Sequence, residues 1–193
     1  MTMPTMTTRQ CFVSAGTLEG IHVLPVTVEV NVGSGLPGIQ IIGLPDSAVS
    51  EARYRVKLGL RAAGFAIPTA QVIVNLSPSS VRKSGTGFDL AIAIGLLVCT
   101  GQLDAVFTER RLFVGEVSLD GSVKGVEGLL AYAGLAARSH LELLTGATDE
   151  DLSSICPGAH RIIGHLSSLK EGILAEPLVH ARGERGGYEV DLA

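Results

Sequence analysis

The chain contains no tryptophan, and aromatic residues make up only 4% of its 193 positions. A core without large rings has to be built from Val, Ile, Leu and Ala, which suits a sheet covered by helices. Platforms for stacking nucleobases are scarce for the same reason. Cysteine is sparse too: Cys11, Cys99 and Cys156 are far apart, odd in number and form no CxxC. That pattern excludes a disulfide framework and reads as reduced thiols, with Cys99 in the core. The five histidines (His22, His140, His160, His165 and His180) show no HExxH or paired spacing, so no metal is expected. There is no GxxxxGK[ST] phosphate loop, and Lys83 precedes its Gly-rich turn instead of following it. The chain by itself is therefore not expected to hydrolyse ATP. The longest apolar run, Leu90 to Cys99, is far short of the ~20 residues that span a bilayer. The opening MTMPTMTTRQ lacks the apolar stretch of a secretory signal. A soluble, cytoplasmic protein with no membrane partner is expected. With a net charge of −4 and a pI near 5.7, any nucleic-acid surface must be a local feature.

What is present is apolar material: 46% hydrophobic residues and a mean hydropathy of +0.39. That supports one domain of ordinary size plus a tail. Residues 1–9 read as a flexible start and 10–175 as the folded unit. Residues 176–193, rich in Gly and polar residues, read as a linker. Val23–Val32 alternates and is β-branched, and Ile39–Ile42 resumes strand character after a Gly/Pro break, so the two are expected to form a hairpin. Gly33, Gly35 and Gly38 match GxGxxG, but the last glycine opens a strand and not a helix, which argues against a dinucleotide site. Asp46 should cap a helix over Ser47–Ala63, with Val49, Ala52, Val56, Leu60 and Ala63 on its inner face and Gly64 past its end. Further strands are expected at Val72–Leu76, Arg111–Val117, Val123–Val126, Leu141–Leu144 and Arg161–Ile163. Further helices are expected at Phe88–Thr100, Gly128–Ser139 and His165–Leu174, with a turn or two of helix over Asp149–Ile155. The fold class is α+β, with a mixed sheet flanked by helices and one buried central helix.

That central helix, Phe88–Thr100, is apolar on every side and must be buried on every side. The turn Ser84-Gly85-Thr86-Gly87 feeds into it, so its amides form a candidate anion trap. Thr86 is the candidate nucleophile there, with no obvious base beside it. Asp89 in the first helical turn reads as a structural carboxylate held by the helix amides. Arg53, Lys57 and Arg61 recur every four residues and form one stripe, while Arg55 projects elsewhere on the same helix. Arg82 and Lys83 add charge before the Gly-rich turn. These six cations are either a solvated face or a patch that contacts phosphates.

The strings GLPD (Gly43–Asp46), VNLSP (Val74–Pro78), GFDLAIAIG (Gly87–Gly95) and GEVSLDG (Gly115–Gly121) occur in this order. Over roughly residues 10–175 they resemble the N-terminal domain of the magnesium-chelatase-like AAA+ family, ComM type. The resemblance implies a Lon-protease-like fold placed before a AAA+ motor, with Tyr188–Ala193 similar to the segment leading into that motor. It implies a hexameric DNA branch-migration machine whose ATP and Mg²⁺ belong to the motor, so no cofactor is expected in this segment. Its expected partners are its own motor, neighbouring subunits and DNA. Lon-type proteases use a Ser–Lys dyad, and alignment to them puts Thr86 at the Ser position and Leu130 at the Lys position. A hydroxyl must be activated by an adjacent base, and Leu130 offers none. The resemblance thus implies a non-catalytic accessory domain. A peptidase using Thr86 and a pure protein-interaction module are the alternatives.

Overall fold

The computed structural model describes residues 9–171. Its first element is a long hairpin. Strand β1 (Arg9–Glu19) runs antiparallel to β2 (His22–Gly33), in register from Arg9 opposite Val32 to Glu19 opposite His22. The turn is two residues, and Gly20 takes the left-handed conformation (φ +61°) that such a tight turn requires. There follow β3 (Gly38–Ile42), helix α1 (Ser47–Ala62), β4 (Gln71–Ser77) and helix α2 (Asp89–Cys99). The chain continues through β5 (Arg111–Val114), β6 (Glu116–Val117), β7 (Val123–Lys124), helix α3 (Leu129–Arg138), β8 (Glu142–Thr145) and β9 (His160–Ile162). Seven strands make one mixed sheet in the order β3-β4-β2-β1-β5-β8-β9, and β6 and β7 form a separate two-stranded ribbon. The architecture is α+β, as the composition and patterning suggest.

Apolar spacing decides the layers. On one face Val26, Val28 and Val30 of β2 and Val72, Val74 and Leu76 of β4 pack with the inner stripe of α1 and with α2. On the other face Leu112, Val114 and Leu143 pack under α3. Every residue of α2 is buried except Val98. Gly95 permits its close approach to the sheet, since a Cβ there would lie 2.5 Å from a Val30 methyl. Asp46 caps α1 as expected, accepting from the Val49 N–H at 2.8 Å.

Several expectations are corrected. β1 was not foreseen; its inward residues Cys11, Val13 and Ala15 are too small and mixed to stand out. The expected hairpin between β2 and β3 does not form. Helix α1 returns the chain so that β4 pairs with β3 in parallel and with β2 in antiparallel sense, and lies between them. β4, with three fully buried side chains, takes the inner position; β3, half-buried on one face and exposed on the other, takes the edge. The expected strand Arg111–Val117 breaks at Gly115, whose N–H and C=O are taken by the Gly87 carbonyl and the Leu90 N–H. Residues 149–155 form bends and turns with no helix, and the expected last helix is a 3₁₀ segment, Leu166–Glu171. The first eight residues of the expected flexible start and the whole of the expected linker 176–193 lie outside the described residues.

Candidate functional site

Three elements meet at the N-terminus of α2. Asp89, its first residue, is fully buried. Arg55 reaches it from α1 with a two-pronged contact, Nε to Oδ2 at 2.6 Å and Nη2 to Oδ1 at 2.9 Å. The same Nη2 also donates to the Ala48 carbonyl at 2.8 Å. The Val117 N–H of β6 donates to Asp89 Oδ2 at 3.2 Å. Asp89 is therefore a structural carboxylate, but its partners are a guanidinium and another strand's amide, not the amides of its own helix. Burial pushes its pKa up, and the Arg55 contacts hold part of that rise back. The bond to Asp89 is also the main cause that raises the pKa of Arg55, which keeps its charge.

Beside this ion pair lies a cleft of roughly 450 Å³. Leu18, the turn Ser84–Gly87, Glu116, the segment Gly125–Glu127 and Tyr132 line it. Thr86 Oγ1 donates to Glu116 Oε2 at 2.6 Å. The expectation that nothing accompanies Thr86 is thus corrected: a carboxylate does. Glu116 sits inside the GEVSLDG string, but sequence spacing gives no sign that a turn and a strand thirty residues apart converge. Of the four amides in the expected anion trap at Ser84, Gly85, Thr86 and Gly87, two already have partners. The Gly85 N–H already donates to Asp46 Oδ2 at 3.2 Å, and the Ser84 N–H to Thr17 Oγ1 at 3.4 Å. The carboxylates of Glu116 and Glu127 line the same cleft and repel an entering anion. From α3 the cleft is faced by Tyr132, 3% exposed, whose pKa burial pushes up to about 12 against a smaller opposing effect of the Leu18 backbone. Leu130 is 46% exposed and does not line the cleft, and Lys124 is exposed on β7 and does not line it either.

The basic residues separate into two groups. Arg53, Lys57, Arg61 and Arg82 are exposed. Arg53 lies over the Tyr54 ring, 4.7 Å from its centre, and with Lys57 borders a shallow concavity of roughly 320 Å³ between α1 and β3. Arg55 and Lys83 are corrections to the expected six-residue patch. Arg55 is committed to Asp89. Lys83 is fully buried, its Nζ donates to the Pro78 carbonyl, and desolvation lowers its pKa. The sequence did hold a signal for Arg55: it falls three residues after Ala52 and one before Val56, on the flank of the buried stripe. Among the described residues, no three His, Cys, Asp or Glu side chains are placed to hold a metal ion, and no helix is long and apolar enough to cross a membrane.

Comparison with known proteins follows the same lines. Residues 28–147 match the family described as subunit ChlI of Mg-chelatase. The chain is 35% identical over 151 residues to the uncharacterized protein YifB of Escherichia coli, covering 78% of this chain and 30% of that protein. It is 38% identical over 136 residues to the competence protein ComM of Haemophilus influenzae, covering 70% of this chain and 27% of that protein. An uncharacterized protein of Mycobacterium tuberculosis, Rv2897c, is 39% identical over 113 residues, 58% of this chain and 22% of that protein. The chain thus spans 22% to 30% of the length of these relatives.

Proposed function

The chain belongs to the family of subunit ChlI of Mg-chelatase, and on that premise we propose that it is a non-catalytic accessory domain of a ComM-like AAA+ ATPase. In this reading it supports assembly of a hexameric ring in the cytoplasm and contacts DNA, while ATP and Mg²⁺ are handled by the motor. The observation that carries the non-catalytic part is the partner of Thr86. A carboxylate is a weaker proton acceptor than the amine of a Ser–Lys dyad, and general-base help is worth on the order of 10²–10⁴ in rate. Here the hydroxyl meets Glu116, and the residue aligned with the dyad lysine, Leu130, does not line the cleft.

DNA contact is assigned to Arg53, Lys57, Arg61 and Arg82, the four exposed cations of the original six. Four phosphate contacts on B-DNA correspond to a slope of log affinity against log salt of about −3 to −4. Fluorescence anisotropy with a labelled duplex over a salt series tests this. A slope near that value, flattened by Arg53→Glu/Lys57→Glu/Arg61→Glu, supports the DNA part; no binding at low salt removes it and leaves the assembly role.

The second reading is a peptidase in which Glu116 takes the Thr86 proton. The 2.6 Å hydrogen bond is the observation in its favour. Incubation with unfolded casein separates the two. Cleavage by the wild type that disappears in Thr86→Ala overturns the non-catalytic reading.

A further inference from the structure

Cys11 on β1 and Cys99 at the end of α2 are far apart in the sequence, and the fold brings them together. Cys11 lies directly opposite Val30 in the β1–β2 hairpin. Opposed residues of an antiparallel pair point to the same face, with Cβ atoms about 4.5–5.5 Å apart. The Cys99 Sγ donates to the carbonyl oxygen of that same Val30 at 3.2 Å. Helix α2 crosses this pair of strands closely: a Cβ at Gly95 would lie 2.5 Å from a Val30 methyl and 3.4 Å from a Val13 methyl. Cys99 follows Gly95 by four residues, one turn further along the same helix face. Cys11 and Val13 share a face of β1, and both belong with Cys99 to one core cluster.

The two thiols are also hydrogen-bond partners. That contact is the main cause that lowers the pKa of Cys11, against a smaller opposing effect of burial. Both side chains are buried, and both are free thiols. Cys156 is placed differently. It belongs to the cluster on the other face of the sheet, its Sγ donates to the Leu152 carbonyl at 3.5 Å, and burial raises its pKa.

We propose that Cys11 and Cys99 form a site of reversible oxidation, which a peroxide converts into a disulfide tying β1 to the end of α2. The thiolate is the attacking form of a cysteine, and the thiol contact favours it at Cys11. The Cys11 sulfur attacks one peroxide oxygen and the O–O bond breaks. Cys11 becomes a sulfenic acid, and the departing hydroxide takes up the Cys11 proton as water. The Cys99 sulfur then attacks the Cys11 sulfur. The S–O bond breaks, and the hydroxyl leaves with the Cys99 proton as a second water. Two thiols are oxidised to one disulfide, and one hydrogen peroxide is reduced to two waters. Hydrogen peroxide suits so buried a pair because it is small, whereas a bulky disulfide reagent would have to open the core. Exchange with an external dithiol restores the two thiols.

The test treats the folded 193-residue chain with hydrogen peroxide and reads its intact mass and its linked peptides by mass spectrometry. The expected result is the loss of two hydrogen atoms per chain, a peptide pair joined through Cys11 and Cys99, and return to the starting mass with dithiothreitol. Cys156→Ala should react as the wild type does. Cys99→Ala should stop at the Cys11 sulfenic acid, which dimedone traps, and Cys11→Ala should give no link. The wild-type peptide map decides the matter even where a core variant folds poorly. Retention of all three thiols, at a peroxide concentration that oxidises the chain unfolded in guanidinium chloride, overturns the proposal. So does a link through Cys156, a link between two chains in place of one within the chain, or sulfinic acid at Cys11 with no link.

Discussion

Arg55 and Lys57 stand two residues apart on α1 and have opposite fates. Arg55 is turned inward, 18% exposed at its side chain, and bound to a carboxylate that is fully buried. Lys57 is exposed at the rim of a shallow concavity. Their formal charges are equal. What differs is the price of removing each: one leaves a carboxylate stranded in the interior, the other leaves solvent. A charge counted in the sequence is available to a partner only if the fold has not already used it, and here two of the six expected contacts, Arg55 and Lys83, are used internally.

The sharpest way to break this comparison is Arg55→Met. It strands Asp89 and should cost roughly 3–5 kcal/mol in chemical denaturation. Replacing both partners, Arg55→Met with Asp89→Leu, should recover much of that loss. If Arg55→Met is as mild as a surface change, the buried pair is not what holds the N-terminus of α2. Tyr132 extends the contrast to the cleft wall. Its pKa is raised from 10 to about 12, so the neutral hydroxyl is favoured in the folded state. Its contribution is fully present below pH 10 and is lost as pH rises toward 12. At 1.36 kcal/mol per unit this is about 2.7 kcal/mol. Stability curves of wild type and Tyr132→Phe should diverge by most of that amount, about 2 kcal/mol, between pH 9 and 12; parallel curves refute it. Asp46→Ala removes a helix cap and the acceptor of the Gly85 N–H, and should cost about 1 kcal/mol in thermal melts. Lys57→Met should change stability by less than about 0.5 kcal/mol. Under the proposed DNA contact it should also reduce the salt slope by about one.

The comparison also indicates where sequence reading stops. The inner stripe of α1, its Asp46 cap and the all-round burial of α2 were legible because each is written in local spacing. The strand at Arg9–Glu19 was not, because its inward residues are small and its pairing partner supplies the pattern. The placement of β4 between β2 and β3 was not legible either, since adjacency in a sheet is settled by a crossover and not by neighbours in the chain. In the cleft, Thr86 was visible as a candidate and Glu116 was not, because their contact joins a turn to a strand thirty residues further along the chain.

By itself, the sequence determined the class of fold, the buried helix and the family, for these depend on periodicity and on strings of consecutive residues. Only the tertiary structure decided which charges face water and which hydroxyl meets which carboxylate. Those outcomes depend on contacts between distant segments, and burial makes the same side chain a structural tie in one place and an open contact in another.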